Sequence, residues 1–538
     1  MYVFEVIIAL LLGGAALTLL AQRLGTPYPA LVALAGAALA LVPGTPTLVL
    51  DPELALTLFV APVLLDAAFD ASPRDLRANW RVVAGLALGA VVLTVIAVAG
   101  TARLLVPGMP WAAAIALGAI VAPPDAAAAT AVLRQLRPPH RLLVILEGES
   151  LFNDASALLI YRLAVGAMIA GAFSLAGVLP TLVIVTLGSV ALGLVLSRVI
   201  ILLTARIEDV AIAVVVQFCG TFGVWLLAER LRLSGILTVV AFAMATAPRA
   251  AELIPARIRI PSYAVWEFAV FVLNVLAFIL VGFQLKGILG RIDTATLINY
   301  AAIAAAVCLA TIVARIAWVS GAAAVSRWRC RPRLDGTPSP RDVIALSPRA
   351  AAVVGWCGMR GIVTLAAALA LPMGGPGAAF PYRDLILFTA FSVVLGTLVV
   401  QGMTLRPLMN RLQLEDDGSV EREVRLARVE TLRAGLAATT VLPGEETAGL
   451  LRRRYEILLR RAEEDLTNGT GASDAAAPHV RDGGALSADA AIVRTATSAE
   501  RQRLIALRAD GTIGDTAFQR IEQELDWEEL DLQQLTSR

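Results

Sequence analysis

The stretch Glu147-Gly-Glu-Ser-Leu-Phe-Asn-Asp154 lies inside an apolar run of residues 142–171. About 20 apolar residues are enough for a helix to cross the hydrocarbon core of a bilayer. Each charged side chain at the centre of such a helix costs about 2.5–3.5 kcal/mol on insertion scales. Glu149 and Asp154 nevertheless lie near the middle of the run. The run therefore predicts a membrane helix whose charged residues have a function.

Helical spacing sorts the polar residues of this run into two neighbouring stripes. Ser150 and Asp154 are four residues apart and share one face, as do Glu149 and Asn153. A short polar cluster that faces the interior of a helix bundle is typical of a binding site. The alternative is a hydrogen-bond network that only holds helices together. Acidic pairs seldom serve that purpose in lipid, so the pattern favours a site.

The composition of the whole chain indicates a polytopic, all-α membrane protein. The 538 residues are 58% hydrophobic, with a mean hydropathy of +0.76, and the apolar residues recur in long runs. The four cysteines are far apart, which argues against a disulfide framework or a metal site. No nucleotide-binding loop is apparent. We predict no enzymatic activity, no cofactor and no nucleic-acid partner.

Thirteen segments of the sequence are candidate transmembrane helices. Counted together with the adjoining segment ends, loops after odd-numbered segments carry 18 Arg or Lys residues and loops after even-numbered segments carry 6, which places the odd loops in the cytoplasm. The N-terminus is then predicted outside and the C-terminus inside. The segments are residues 3–22, 29–44, 54–72, 81–105, 110–132, 142–171, 176–203, 209–228, 234–248, 263–285, 297–325, 350–373 and 384–405.

The fifth segment is predicted to be interrupted at its centre. Pro123 and Pro124 remove two backbone donors and clash with the preceding turn. Irregular backbone at membrane depth is tolerated only inside the protein or along a water-filled cavity. Asp125 follows the break, at the start of a second half-helix, where a carboxylate is favoured. A simple kink is the alternative.

The twelfth segment is predicted to be interrupted as well. Gly355-Trp-Cys-Gly-Met-Arg-Gly361 holds three glycines in seven residues, which weakens a helix at its middle. Arg360, at that depth, needs a carboxylate or free carbonyls as partner. The fifth and twelfth segments each lie at the centre of a trio, and seven segments separate them. An odd offset inverts the topology, so the chain has the inverted-repeat pattern of secondary transporters.

The motif Glu149-Ser-Leu-Phe-Asn-Asp154 resembles the core motif of the monovalent cation/proton antiporters. The resemblance is to the branch of bacterial NhaP-type and eukaryotic sodium/proton exchangers, and it covers about residues 1–411. It implies that the two broken helices cross at the site. Cation or proton would bind at Asp154, Asp125, Ser150 and the carbonyl of Pro124, with Na⁺ at the first three. The family usually has threonine where Pro124 stands, so a hydroxyl is lost.

The resemblance also implies roles for three supporting residues. Arg360 is expected to pair with Glu149, and Asn153 is expected to hydrogen-bond to Glu149. Outside the motif, a pair between Glu267 and Arg315 is a hypothesis from their positions in neighbouring segments. Asp66, in the third segment, is either a residue that supports the site or a carboxylate at the cytoplasmic boundary.

The predicted function is exchange of a monovalent cation for H⁺ by alternating access, in a homodimer of the inner cell membrane. Na⁺ is the first choice of cation, with K⁺ or Li⁺ as alternatives, and a role in pH homeostasis is implied. Asn153 in place of a second aspartate favours electroneutral exchange. A cation channel, or a transporter-derived sensor with the same fold, is the alternative. A membrane aspartyl protease would need Gly-x-Gly-Asp, which neither Asp125 nor Asp154 has.

The sequence changes character after residue 411. We divide the chain into a transmembrane domain, 1–411, and a cytoplasmic tail, 412–538. Residues 415–465 read as amphipathic helix and 497–535 as charged helix. A flexible linker is predicted at about 467–490, where small and polar residues dominate. The tail is either a regulatory or oligomer-contacting appendage or a solvated extension.

Overall fold

The structure is a computed structural model. It describes residues 2–41, 54, 56–136, 138–170, 175–290, 292–329, 347–372, 380–414, 416–440, 446–468 and 486–536. Throughout these ranges the regular structure is helical and no strand occurs. The predicted all-α fold is therefore confirmed.

The transmembrane domain is built from sixteen described α-helices. In chain order they are α1 (Tyr2–Leu24), α2 (Tyr28–Leu41), α3 (Ala61–Asp70), α4 (Pro73–Ala84), α5 (Val91–Leu105), α6 (Trp111–Val121), α7 (Ala126–Leu133), α8 (His140–Ala170), α9 (Leu175–Thr204), α10 (Val210–Arg230), α11 (Gly235–Leu253), α12 (Ala256–Leu289), α13 (Thr294–Arg329), α14 (Pro348–Trp356), α15 (Ile362–Leu369) and α16 (Arg383–Leu412).

Helix lengths and apolar composition fit repeated crossing of a membrane. In the described part of the chain, 8 helical stretches are long and apolar enough to span a bilayer, and shorter apolar helices accompany them. π-helical turns, Leu56–Val60 and Gly85–Ala90, lead into α3 and join α4 to α5. Each of the thirteen predicted segments overlaps helical structure. The number of crossings stays a prediction.

Side-chain caps fix where several of these helices begin. Ser72 accepts a hydrogen bond from Asp75 N at the start of α4, and Asp209 accepts one from Ile212 N at the start of α10. Ser234 and Ser347 cap α11 and α14 in the same way. Each cap satisfies a backbone donor that the first helical turn leaves free. The polar loop residues thus set the helix boundaries.

The transmembrane helices pack as two groups. We call α4–α8 and α13–α16 the site group, because α8 packs on α4 and α6 while α13 packs on α5, α14 and α16. We call α1–α3 and α9–α12 the scaffold group, in which α2 packs on α12, and α11 packs on α3, α9 and α10. The two groups meet where α16 lies on α2 and α12.

Both predicted interruptions are present. The first leaves Ala122–Asp125 outside helical structure between α6 and α7. The second leaves residues 357–361 outside helical structure between α14 and α15. The first contains the Pro123-Pro124 pair and the second contains two of the three glycines, so the breakers act where the sequence places them.

The tail forms four described helices: α17 (Ser419–Thr440), α18 (Glu446–Asn468), α19 (Leu486–Ala509) and α20 (Asp515–Thr536). The single amphipathic stretch predicted over 415–465 is two helices. Residues 469–485 of the predicted linker lie outside the described residues. α18 covers its first two residues, and α19 begins within it, at Leu486. α17 packs on the other three helices, and α20 packs on α12 of the scaffold group.

Candidate functional site

The two interruptions lie directly against each other. The backbone N of Asp125, in the first break, donates a hydrogen bond of 2.7 Å to the carbonyl O of Met359, in the second. A Cβ added to Gly361 would lie 1.6 Å from Oδ2 of Asp125. Only glycine leaves room for this approach, so the second break is shaped to receive the carboxylate of the first.

Asp125 caps the second half of the interrupted helix. Its Oδ1 accepts a hydrogen bond of 2.8 Å from the backbone N of Ala127, and it is the N-cap residue of α7. A carboxylate here interacts favourably with the positive end of the helix dipole. The predicted position of Asp125 at the start of a half-helix is therefore confirmed.

The polar stripe of α8 faces this carboxylate. Ser150 Oγ accepts a hydrogen bond of 3.3 Å from the backbone N of Ala126, the residue after Asp125. Asp154 is 3% exposed, and its charge interacts with that of Asp125. Asp125, Ser150 and Asp154 are thus brought to one place. Their oxygens are the hard ligands that small monovalent cations take.

Asn153 supports the first break and does not bind Glu149 as predicted. Its Nδ2 donates to the carbonyl O of Pro124 at 3.3 Å. Its Oδ1 is buried, and within the described part of the chain it has no hydrogen-bond partner. The prediction was wrong because Asn153 and Glu149, although four residues apart on one helix, turn to different neighbours.

Glu149 pairs with Arg315 of α13, and the predicted pair with Arg360 was wrong. Arg315 Nη2 donates to Glu149 Oε2 at 2.8 Å, and Nη1 contacts Oε1 at 2.5 Å. Arg315 also donates to the carbonyl O of Val354, at the end of α14. Both charged residues are at most 1% exposed. The hypothesis of a Glu267–Arg315 pair is likewise replaced by this one.

Arg360 binds backbone carbonyls of both interruptions. Its Nε donates to Val121 O at 2.8 Å and its Nη2 to Ala122 O at 3.2 Å, while Nη1 contacts Gly358 O. A broken helix leaves such carbonyls without their helical partners. Arg360 supplies five N–H donors, so it satisfies the break directly and needs no carboxylate. The side chain of Thr397 accepts from the backbone N of Arg360 at 3.0 Å.

Sequence reasoning gave Arg315 the wrong partner and did not identify Tyr28 and Asn274 as neighbours of the site. Arg315 stood out as a charge in an apolar segment, but nothing in the sequence indicated which carboxylate it meets. Tyr28 of α2 hydrogen-bonds to the side chain of Asn274 of α12, and it lies within electrostatic range of Asp125. The scaffold group therefore approaches the site through the side chains of Tyr28 and Asn274.

Exposure of the residues around the site differs along α8. Ser150 and Asp125 are partly exposed and Ala127 is exposed, all toward the start of α8. Beyond Asp154, Ala157 and Tyr161 are 0% and 6% exposed. Asp66 of α3 lies within electrostatic range of Asp70, Arg134 and Glu267. This placement fits both of the predicted interpretations of Asp66.

An ion pair lies farther along α8, beyond Asp154. Arg162 Nη2, two turns beyond Asp154 on α8, lies 2.7 Å from Oε1 of Glu229 on α10. The same oxygen accepts from the backbone N of Gly235 at 3.3 Å. This ion pair joins the site group to the scaffold group away from the tail.

Comparison with known proteins matches this chain to one family along most of its length. The family described as "Sodium/hydrogen exchanger, transmembrane" matches residues 6–411. A protein of Mycobacterium tuberculosis named as an uncharacterized Na(+)/H(+) exchanger is 31% identical, over 98% of this chain and 96% of its own length. A "Sodium, potassium, lithium and rubidium/H(+) antiporter" of Bacillus pumilus is 31% identical, over 76% of this chain and 63% of its own length.

A solved structure has a similar fold. The sodium proton antiporter MjNhaP1 from Methanocaldococcus jannaschii matches with a TM-score of 0.59 and 19% identity, over 75% of this chain and 99% of that chain. At this identity the likeness concerns the fold alone. The mycobacterial alignment, in contrast, covers so much of this chain that it includes most of the tail.

Proposed function

Since this chain belongs to the transmembrane sodium/hydrogen exchanger family, we propose that it exchanges a monovalent cation for a proton across the cell membrane. The observation that carries the proposal is the meeting of Asp125, Ser150 and Asp154 at the two helix breaks. These groups come from α7 and α8, and backbone of the second break lies against them.

The proposed ligands of the cation are oxygens of the site group. The carboxylates of Asp125 and Asp154, the hydroxyl of Ser150 and the carbonyl of Pro124 form the set. The carbonyl of Pro124 accepts one bond from Asn153 and keeps a second lone pair. Since Asp125 is the N-cap residue of α7, the N–H groups of the first turn of that helix offset part of the negative charge of the site. Proline at this position keeps the backbone carbonyl that the family resemblance assigns to the site and lacks the threonine hydroxyl.

Exchange follows from competition for Asp154. A cation and a proton both neutralise a buried carboxylate, so they exclude each other from the site. A protein that changes the side of access only when its site is neutralised then couples the two fluxes. We propose that the site group moves as a unit against the scaffold group between the two states. With Asn153 uncharged, one proton is exchanged for one cation.

The buried arginines hold the framework of the site. Arg360 satisfies carbonyls of both breaks, and Arg315 balances Glu149. Neither guanidinium is among the proposed cation ligands. The hydrogen bond between Asp125 and Met359 joins the two broken helices and supports the crossed arrangement that the family resemblance implies.

Na⁺ is the proposed cation, with K⁺ and Li⁺ as the alternatives. The related antiporter from Bacillus pumilus is named for sodium, potassium, lithium and rubidium. The experiment should therefore compare several monovalent cations. We further propose a homodimer, with the N-terminus outside and the tail in the cytoplasm. The excess of basic residues in odd-numbered loops supports this orientation.

The test is dissipation of a pH gradient in proteoliposomes after addition of NaCl, KCl, LiCl or choline chloride. The parent chain, Asp154→Asn and Asp293→Asn are compared. Asp293 is an exposed carboxylate that precedes α13, so it serves as the matched control. We expect cation-dependent dissipation in the parent and in the Asp293 variant and none in Asp154→Asn. Cation flux without proton movement would instead support the channel.

A further inference from the structure

The tail is attached to the scaffold group by a buried cluster of charges. Arg259, near the start of α12, is 3% exposed. Its Nε donates to Asp526 Oδ2 of α20 at 2.9 Å, and its Nη2 contacts the other oxygen. Its Nη1 lies 3.0 Å from Glu522 Oε1 on the same tail helix. We call this contact the scaffold attachment.

A second contact attaches the tail to the site group. Ser72, the cap residue of α4, donates from its Oγ to Asp515 Oδ2 at 2.6 Å. Arg74 Nη1 lies 3.6 Å from Glu423 Oε1 of α17. The other oxygen of Glu423 accepts from the backbone N of Gly514 at 2.6 Å. We call this contact the site-group attachment, since α4 packs on α8, which carries Asp154.

The two attachments belong to one packed unit of the tail. Asp515 is held by Arg508 Nε at 2.6 Å, and Asp526 is held by Arg501 Nη2 at 2.8 Å. Tail residues of an apolar cluster lie between them, and that cluster includes Ala251 at the end of α11. The tail members of this cluster are Val424, Ala427, Leu504, Leu507, Ile513, Ala517, Phe518, Ile521 and Leu525.

We propose that the tail is a clamp that joins the two helix groups and slows exchange until its site-group attachment opens. The proposal rests on the proposed function, in which the site group moves against the scaffold group. A rigid unit bound to both groups on one side opposes that movement. One attachment must therefore break in each cycle, or the tail must deform.

Burial indicates which attachment opens. Arg259 and Asp526 are 3% and 1% exposed, so separating them leaves buried charges without a partner. Arg74 and Glu423 are 43% and 30% exposed, and water replaces their contact at little cost. The Ser72–Asp515 hydrogen bond is buried, but Asp515 keeps Arg508 as its charged partner when that bond opens. The scaffold attachment is thus the permanent anchor, and the site-group attachment is the one that releases.

The opened clamp is tested by Ser72→Asp combined with Arg74→Glu in the full chain. Aspartate is as good a helix cap as serine, so α4 keeps its start while Asp515 meets a like charge. Arg74→Glu places a second like charge beside Glu423. The control is Arg77→Glu, which makes the same charge change at an exposed position of the same helix. None of these residues is a proposed ligand of the cation.

The readout is the initial rate of Na⁺-dependent pH-gradient dissipation in proteoliposomes. We expect the double variant to exceed the parent by about fivefold, since loss of even about 1 kcal/mol of attachment changes a population by that factor. Arg77→Glu is expected to match the parent. A closed clamp is tested by Ser72→Cys with Asp515→Cys, whose disulfide should slow exchange until reductant is added.

The outcomes separate this proposal from the proposed function. Exchange in the parent at the same rate as in the opened variant, or undiminished exchange in the cross-linked variant, overturns the clamp and leaves the antiport proposal intact. If neither the parent nor any variant shows exchange, both proposals are overturned. Exchange in the opened variant that exceeds the parent supports both.

Discussion

Arg315 binds both carboxylate oxygens of Glu149 in the interior of the site group, while Arg360 binds only backbone carbonyls. Two arginines of similar burial therefore have different partners. Arg315 balances a charge, and Arg360 replaces the hydrogen bonds that two interrupted helices lack. Their substitutions should have separable effects.

The first prediction concerns the Glu149–Arg315 pair. Arg315→Gln leaves Glu149 buried without its counter-charge and should cost about 3–5 kcal/mol of stability. Glu149→Gln combined with Arg315→Gln should recover part of that loss. Thermal unfolding in detergent measures both. As the control, Glu149→Gln should couple to Arg360→Gln less strongly than to Arg315→Gln, by about 1 kcal/mol or more. Equal coupling would contradict the assigned partners.

The second prediction concerns Gly361. A methyl group at this position would overlap Oδ2 of Asp125, so Gly361→Ala should displace the carboxylate or the second break. We expect about 1–3 kcal/mol of destabilisation from overpacking, together with loss of most cation-dependent exchange. Gly321→Ala, on α13, is the control, because an added Cβ there meets no atom within 4 Å. Normal exchange by Gly361→Ala would contradict the close approach.

The third prediction concerns pH and the tail. Burial raises the pKa of Glu500 to about 8, with Glu528 adding to the rise and Arg454 opposing it. Tyr455 Oη, which donates to Glu500 Oε1, also opposes the rise. The folded tail therefore holds a proton that the unfolded tail, with an ordinary pKa of about 4.5, has lost. The contribution of this proton to the stability of the tail is fully present below pH 4.5. It falls as pH rises toward about 8.

Hydrogen-exchange protection factors of α19 in the full chain measure this effect. Protection should fall as pH rises between about 5 and 8, by at most about tenfold per pH unit. Glu500→Gln should remove most of the dependence, because the amide is neutral at every pH and still accepts a hydrogen bond from Tyr455. A pH dependence that persists in the amide variant would assign the titration to another group.

The fourth prediction concerns Arg162 and Glu229. Their side chains are 50% and 36% exposed, so the pair contributes about 0–1 kcal/mol. Arg162→Gln should leave the protein folded and change the exchange rate by about fivefold at most. Residue 162 lies 22 positions after the first residue of α8, about 33 Å along the helix. Complete loss of exchange would show that Arg162 acts on the ion itself.

The sequence was most informative where backbone chemistry decides the structure. Two consecutive prolines forced the break before Asp125, and glycines marked the break around Arg360. Helical spacing of four residues placed Ser150 and Asp154 on one face, and the structure brings both to Asp125. These predictions needed no knowledge of how distant helices pack.

Partners across helices were the part that the sequence did not reveal. The sequence offered Glu149 more than one buried arginine as a partner, and the folded helices bring Arg315 to it. Arg360 lies in the break between α14 and α15. Its guanidinium reaches carbonyls that lack helical hydrogen-bond partners only because two helices are interrupted. The tail contacts depend on Arg259 and Ser72, and nothing in the sequence indicates that their partners are Asp526 and Asp515.

The hydrogen bond between Asp125 and Met359 has a consequence for how the chain can be divided. All the proposed cation ligands lie before α9 in the chain, yet the carbonyl that receives Asp125 and the guanidinium that satisfies its break lie after α10. A fragment that ends before α10 would carry Asp125 and Asp154 without the groups of the second break that contact the first. Fragments cut between α9 and α10 would have to be produced together to assemble one site.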